Sequence, residues 1–266
     1  MSMANKVAVI TGASAGVGEA TARQLAAQGA TLVLAARTPG PLQALATELG
    51  ATAVPTDVQQ PADCQRLIDT ALQQHGGIDL LVNNAGCNHR GEVREVGAEQ
   101  LAQVIDVNLR APLILTRLAL DSLIERRGAV VNVASLAGRT PLPHEAAYSA
   151  SKFGLRAFTL ALHEELRGSG VRVSVVSPGP IDTGFIMQAI DEVPDTVFSQ
   201  PMSTADEVAA AILACAADGR PERALPSSGG HLTTLAYLLP GLARRLRPAL
   251  ERKGAKAKAR YRARQG

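Results

Sequence analysis

"KVAVITGASAGVG", Lys6–Gly18, runs from an apolar, β-branched stretch into a glycine-rich turn. The segment that follows, "GEATARQLAAQG", repeats its apolar residues at intervals of three and four. A strand apolar on both faces, a short turn and a helix with one apolar stripe are the opening of a parallel sheet covered by helices on both sides. In that setting Gly12 permits a tight turn, Gly16 a close backbone approach to pyrophosphate, and Gly18 tight packing of helix on strand, while the helix N-terminus attracts phosphate charge. The spacing is Gly-x-x-x-Gly-x-Gly rather than Gly-x-Gly-x-x-Gly, and glycines alone also suit a flexible loop.

The same alternation continues downstream. Strand candidates are "TLVLAAR", "TAVPTDV", "IDLLVNNAG", "GAVVNVAS", "VRVSVVSPG" and the weaker "RALPS". Stretches of helical period separate them, several closing on Gly as helix C-termini commonly do. The expected architecture is α/β: a single doubly wound (Rossmann) domain over residues 1–230 with a parallel sheet of about seven strands. Residues 231–266 follow as an apolar segment and a basic tail.

Charge is distributed unevenly. Residues 1–243 hold 17 Lys or Arg against 23 Asp or Glu, a balance of −6, whereas residues 244–266 hold 10 against 1, a balance of +9. The larger part is mildly acidic and poor in aromatics, which argues against a nucleic-acid-binding core. Three widely spaced cysteines, Cys64, Cys87 and Cys215, show no metal-ligand spacing and fit a reducing compartment. "MSMANKVAVI" reaches its β-like run without a leader-like apolar region, and no run approaches the roughly 20 apolar residues of a membrane span. The expectation is a cytoplasmic protein, with peripheral membrane contact through the tail as an open alternative.

"YSASK", Tyr148–Lys152, sets a phenol and an ammonium one helical turn apart, a spacing also found on ordinary solvated helix faces. Its company is more specific. "TGASAGVG" at 11–18, "NNAG" at 83–86 and "YSASK" together resemble the short-chain dehydrogenase/reductase family. The family's aspartate after the third strand resembles Asp57 in "TDV", its helix asparagine Asn108 in "DVNL", its serine Ser135 in "VVNVAS", and its post-strand turn "PGPIDT" from Pro178. These marks keep family order from about residue 5 to 230.

The resemblance implies a nicotinamide cofactor held by Gly12, Ser14, Gly16, Val17 and Gly18, with Asp57 and Val58 at the adenine and Asn84, Ala85 and Gly86 at the adenine ribose. It places Pro178, Gly179, Ile181 and Thr183 near the nicotinamide, and Tyr148 and Lys152 at its ribose. It makes Tyr148 the general acid/base, Lys152 its tuner, Ser135 the substrate positioner, and Asn108 a bend or water-binding point in a proton relay. A free tyrosine, with a pKa of about 10, is a poor base at neutral pH, so a fixed cation one turn away suits that task. Where an acidic residue would accept hydrogen bonds from the adenosine ribose, this chain has Ala36 and Arg37, and a guanidinium there suits the 2′-phosphate of NADP(H).

The function expected is hydride transfer between NADP(H) and a carbonyl or alcohol, in a homodimer or homotetramer. The segment "FIMQAIDEVPDTVF" after Thr183 reads as a substrate lid favouring a hydrophobic compound. His89, His144 and Cys87 flank the site and read either as pocket residues or as ordinary loop and packing residues. A second reading is a catalytically silent dinucleotide-binding sensor or scaffold that uses the basic tail to hold a partner; the intact Ser, Tyr and Lys argue against it. The apolar piece Leu232–Leu246 and the cations after it read either as an anchor on an anionic membrane surface, or as a cover over the substrate pocket or a dimer partner followed by solvated, disordered cations.

Overall fold

Strand β1 (Val7–Thr11) is buried along its whole length, and its side chains divide between two cores. Ala8 and Ile10 join one cluster, Val7 and Val9 the other, as the two-residue period of a strand requires. In the computed structural model, which describes residues 3–188 and 190–263, β1 lies inside a seven-stranded parallel sheet. Its companions are β2 (Thr31–Ala36), β3 (Thr52–Pro55), β4 (Leu80–Asn83), β5 (Ala129–Val133), β6 (Arg172–Pro178) and β7 (Glu222–Leu225). The spatial order is β3-β2-β1-β4-β5-β6-β7, so every strand candidate forms and the expected doubly wound α/β architecture is found.

Helices α1 (Gly16–Ala26), α2 (Pro39–Leu49) and α8 (Ala205–Asp218) cover one face; α3 (Pro61–His75), α5 (Ala111–Glu125) and α6 (Ala146–Glu165) cover the other. From β1 the chain winds outward to β2 and β3, then returns to place β4 on β1's opposite side. The turns after β1 and β4 therefore diverge at their carboxyl ends, opening the crevice where open α/β sheets bind ligands.

The run expected as one helix before β5 is divided: α4 (Ala98–Ile105), a π-helical turn at Asp106–Arg110, then α5. The widened turn contains Asn108, fully buried. After β6 come the short α7 (Gly184–Met187), a 3-10 turn at Asp195–Ser199, and α8.

The chain beyond β7 is helical where one of its two readings expected solvated, disordered cations. It forms α9 (Ser227–Leu238) and α10 (Pro240–Arg262), the second packed on the Asp195–Ser199 turn. A Cβ on Gly254 would stand 1.7 Å from the Asp195 carbonyl oxygen, so the helix backbone touches that turn directly. Lys258 donates to the carbonyls of Val193 at 2.7 Å and Asp191 at 3.3 Å, and Arg262 pairs with Asp191. Cations that find carbonyl and carboxylate partners are held, so the helix continues through the basic sequence. Among the described residues no helix is long and apolar enough to cross a membrane, and no cluster of His, Cys, Asp or Glu could hold a metal.

Candidate active site

Gly12 and Gly16 both adopt positive φ, +64° and +57°. A Cβ on Gly18 would stand 2.1 Å from the Gly12 carbonyl oxygen, so the turn closes on α1 only if that residue lacks a side chain. Ala15 precedes α1 without a side-chain cap, which leaves the first N–H groups of the helix directed into the crevice. This cradle fits the pyrophosphate of a dinucleotide. Ser14 lies in the turn, half-buried, and Val17 is buried beneath it.

The β4 turn is joined to this cradle by Thr11, which the sequence reading passed over. Its Oγ1 accepts from the N–H groups of Asn84 at 3.0 Å and Ala85 at 3.1 Å, while Asn84 Nδ2 donates to the carbonyls of Thr11 and Gly12. The preceding Asn83 points into the interior, donating to Asn132 Oδ1 at 2.8 Å and Thr116 Oγ1 at 3.2 Å. Asn132 in turn donates to Thr159 Oγ1 at 2.8 Å, so a buried polar row ties β4 and β5 to α5 and α6. The two asparagines of "NNAG" thus serve different places, one the core and one the crevice.

Arg37 is exposed where β2 ends. Asp57 is half-buried and already engaged: its carboxylate accepts from the Gln59 backbone at 3.1 Å and from the Gln59 side chain, forming a turn before α3. Val58 beside it is buried. On the opposite wall, Pro178 ends β6, Gly179 donates its N–H to Leu225 at 2.6 Å, and Ile181 bridges to Ser203. Thr183 precedes α7 and faces the glycine turn, its Cγ2 3.4 Å from where a Gly16 Cβ would be.

Tyr148 and Lys152 stand one turn apart on α6, as expected; Tyr148 is half-buried and Lys152 is drawn deep into the protein. Lys152 is 4% exposed; its Nζ donates to the Val133 carbonyl at 3.0 Å and lies 5.7 Å from the Tyr148 ring centroid. Burial pulls the Lys152 ammonium down to about 8. Burial first, then the Glu145 carboxylate, pushes the Tyr148 phenol up to about 12, against the opposing influence of the Ser135 hydroxyl. Desolvation therefore dominates the balance struck at this phenol by the protein's own groups. Ser135 follows β5 and caps the 3-10 turn Leu136–Gly138 by accepting from the Ala137 N–H at 3.1 Å.

Asn108 joins the β4 loop to α6. Its Oδ1 accepts from the Cys87 N–H at 2.9 Å, and its Nδ2 donates to the Cys87 carbonyl at 2.9 Å and to Ser151 Oγ at 3.1 Å. Both amide hydrogens are committed, which leaves one Oδ1 lone pair. Cys87 is half-buried and burial raises its thiol, so it stands as a neutral packing group. His89 is half-buried and paired with Gln103 at 2.8 Å; His144 is exposed.

An ion pair that the sequence did not reveal lies beside Tyr148. Arg90 Nε reaches Glu145 Oε1 at 3.0 Å, with side chains 8% and 5% exposed. Arg90 also sits 5.6 Å from the Phe185 ring centroid, and that ring lies 6.3 Å from Tyr148's. The residues come from three separate elements, so no local spacing signals them. A cleft of about 610 Å³ opens beside the pair, lined by Arg90, His144, Val193, Arg247 and Glu251; Tyr148 is not among its walls. The lid's apolar residues are arranged differently from the expectation of a hydrophobic substrate surface. Ile186, Ile190, Val193 and Phe198 bury against one another and against Ala257 and Tyr261 of α10, while Phe185 stays at Tyr148.

Comparison with known proteins agrees with this geometry. The family model described as short chain dehydrogenase matches residues 6–193. Dehydrogenase/reductase SDR family member 7B of Bos taurus is 35% identical over 276 aligned positions, covering 96% of this chain and 84% of that protein. An uncharacterized oxidoreductase of Staphylococcus aureus is 36% identical, covering 68% of this chain and 80% of its own length. One from Staphylococcus epidermidis is also 36% identical, covering 67% and 79%. The glycine cradle and the Tyr148–Lys152 pair both fall within the matched residues, and the chain belongs to the short-chain dehydrogenase/reductase family of oxidoreductases.

Proposed function

We propose that the chain is an NADP(H)-dependent carbonyl reductase or alcohol dehydrogenase in which Tyr148 is the general acid/base. The observation that carries this reading is the half-buried Tyr148, with the buried Lys152 one turn on and Ser135 after β5, at the sheet edge where the glycine cradle opens. A phenol held up at about 12 is protonated at neutral pH, the form that gives a proton to a carbonyl oxygen in the reduction of a ketone or aldehyde. Ser135 donates a hydrogen bond to the same oxygen and orients it. Lys152 stabilises the Tyr148 phenolate that remains, and proton uptake from solvent restores the phenol. Asn108 positions α6 against the β4 loop, and its one uncommitted lone pair is where a relay water would bind.

A nicotinamide dinucleotide supplies the hydride when bound. Gly12, Ser14, Gly16, Val17 and Gly18 would hold its pyrophosphate, Asp57 and Val58 the adenine, and Asn84, Ala85 and Gly86 the adjoining ribose. Tyr148 and Lys152 would meet the nicotinamide ribose, with Pro178, Gly179, Ile181 and Thr183 at the ring. The substrate is a small carbonyl or alcohol compound, and the assembly a homodimer or homotetramer. Three free cysteines suit a cytoplasmic setting.

NADPH consumption measured across ketone and aldehyde classes tests the reaction; no turnover with any class supports the silent sensor instead. Cofactor choice rests on Arg37. Its replacement by Ala is expected to reduce kcat/KM with NADPH by about 10- to 100-fold, the worth of a charged hydrogen bond, and to leave NADH little changed. Equal wild-type kcat/KM with the two cofactors rejects the preference.

Glu145 offers a further check. Its carboxylate disfavours the phenolate, so Glu145→Gln lowers the phenol pKa and moves the alkaline limb of the reduction profile to lower pH. Arg90→Gln removes the opposing charge and moves that limb upward. Shifts in the same direction for both variants mean that the pair acts through structure alone.

A further inference from the structure

Of the twelve large hydrophobic side chains exposed among the described residues, eight fall between Leu232 and Leu250. That concentration is far from the scattered apolar residues of an ordinary surface. Along α10, Leu242, Leu246 and Leu250 follow at intervals of four, on the face that continues into Gly254 and Lys258. The C-terminal half of this face is covered by the Asp191–Ser199 stretch; the N-terminal half, with Leu235 and Leu238 of α9, is bare.

Cations border the bare part. Arg244, Arg245, Arg252, Lys253, Lys256 and Arg260 are exposed, and no carboxylate among the described residues pairs with them. At about 100° per residue, Arg245, Arg252 and Lys256 run along one edge of the leucine stripe. We propose that this face of α9 and α10 docks on an anionic membrane surface, its leucines entering the interface and its cations meeting lipid phosphates. An amphipathic basic helix with such a stripe is suited to lie in the interfacial plane. Among the described residues no helix is long and apolar enough to span a bilayer, so the proposed contact is peripheral.

A second copy of the chain fits the face less well. An isologous contact would bring two segments of balance +9 together, whereas an anionic surface neutralises that charge. The inference is independent of the reaction catalysed. It also has a geometric consequence, because the helix that docks is the one clamped to the segment lining the cleft beside Arg90.

The test is cosedimentation of the full chain with phosphatidylcholine vesicles, with and without phosphatidylglycerol, at low and high salt. Sedimentation that requires phosphatidylglycerol and is reversed by salt is expected. Neutralising the border with Arg245→Gln, Arg252→Gln and Lys256→Gln should weaken binding by about a hundredfold. Leu242→Ser, Leu246→Ser and Leu250→Ser together should weaken it by at least about tenfold, with an unchanged melting temperature. Wild-type protein that ignores phosphatidylglycerol overturns the proposal, as does a leucine variant that binds like wild type. Self-association in ultracentrifugation that the leucine variant loses, without vesicle binding, assigns the face to a second copy and overturns it too.

Discussion

Tyr148→Phe is expected to reduce turnover by about a hundredfold to ten-thousandfold, the span attributed to a positioned proton donor, while dinucleotide binding is retained. The substitution deletes one oxygen and keeps the ring, so the contacts of Tyr148 with Phe185 and with the Lys152 ammonium survive. The Val133 carbonyl continues to hold Lys152, and Asn108 continues to hold Ser151 and the β4 loop. What disappears is the proton that the carbonyl oxygen must receive. Stopped-flow or steady-state NADPH oxidation reads the loss, and fluorescence titration of the dinucleotide reads binding. Turnover within about tenfold of wild type would remove Tyr148 from the reaction. Loss of binding as well would make it a structural residue of the cradle.

The largest expected effect on stability comes from Glu222→Gln. Glu222 begins β7, the edge strand, and its carboxylate receives Arg156 through two nitrogens at 2.9 Å, Arg139 at 2.8 Å and Ser177 at 2.9 Å. Burial pushes this carboxyl up, but the hydrogen bonds from Arg156 and Arg139 prevail and hold it down at about 2. A neutral amide leaves two partly buried guanidinium groups without their counter-charge, a loss of about 3–5 kcal/mol. For a chain of this size that is a melting temperature lower by roughly 6–15 °C. The damage extends to the site, because Arg139 follows the Ser135 turn and also grips the Gly230 carbonyl and Thr234 of α9.

The sign of the pH dependence follows from the lowered value. The unfolded carboxyl titrates near 4.5 and the folded one near 2, so the stabilisation is complete above about 4.5 and is lost as pH falls toward 2. That interval corresponds to about 3 kcal/mol. The gap between wild type and Glu222→Gln in urea or thermal melts should therefore be full at neutral pH and shrink through the acid range. Equal melting temperatures at pH 7 would show that the three-residue junction contributes nothing.

Much of the protein was legible in its sequence because the signals are local. Apolar runs such as "VAVIT" and "AVVNV" are buried on both faces, which is why they read as parallel strands, and Gly50, Gly76 and Gly219 end helices in the left-handed conformation that glycine tolerates. The glycine cradle was readable for the same reason: a positive φ and a missing Cβ constrain the residue at that position. Tyr148 and Lys152 could be placed on one helix face, one turn apart, from their spacing alone.

Tertiary structure alone decided what those residues experience. Arg90 and Glu145 are 55 residues apart in sequence and meet beside Tyr148 only because the loops after β4 and β5 converge. The phenol is pushed upward because the fold removes it from water, an effect with no counterpart in the motif. The basic tail read as solvated charge, since its helical order depends on Lys258 and Arg262 finding partners near residues 191–195. Spacing along the chain determined the sheet, the cradle and the placing of Tyr148 and Lys152 on one helix face; proximity across it determined their electrostatics and left the leucine face of α10 bare, because burial and charge pairing are properties of the packed molecule.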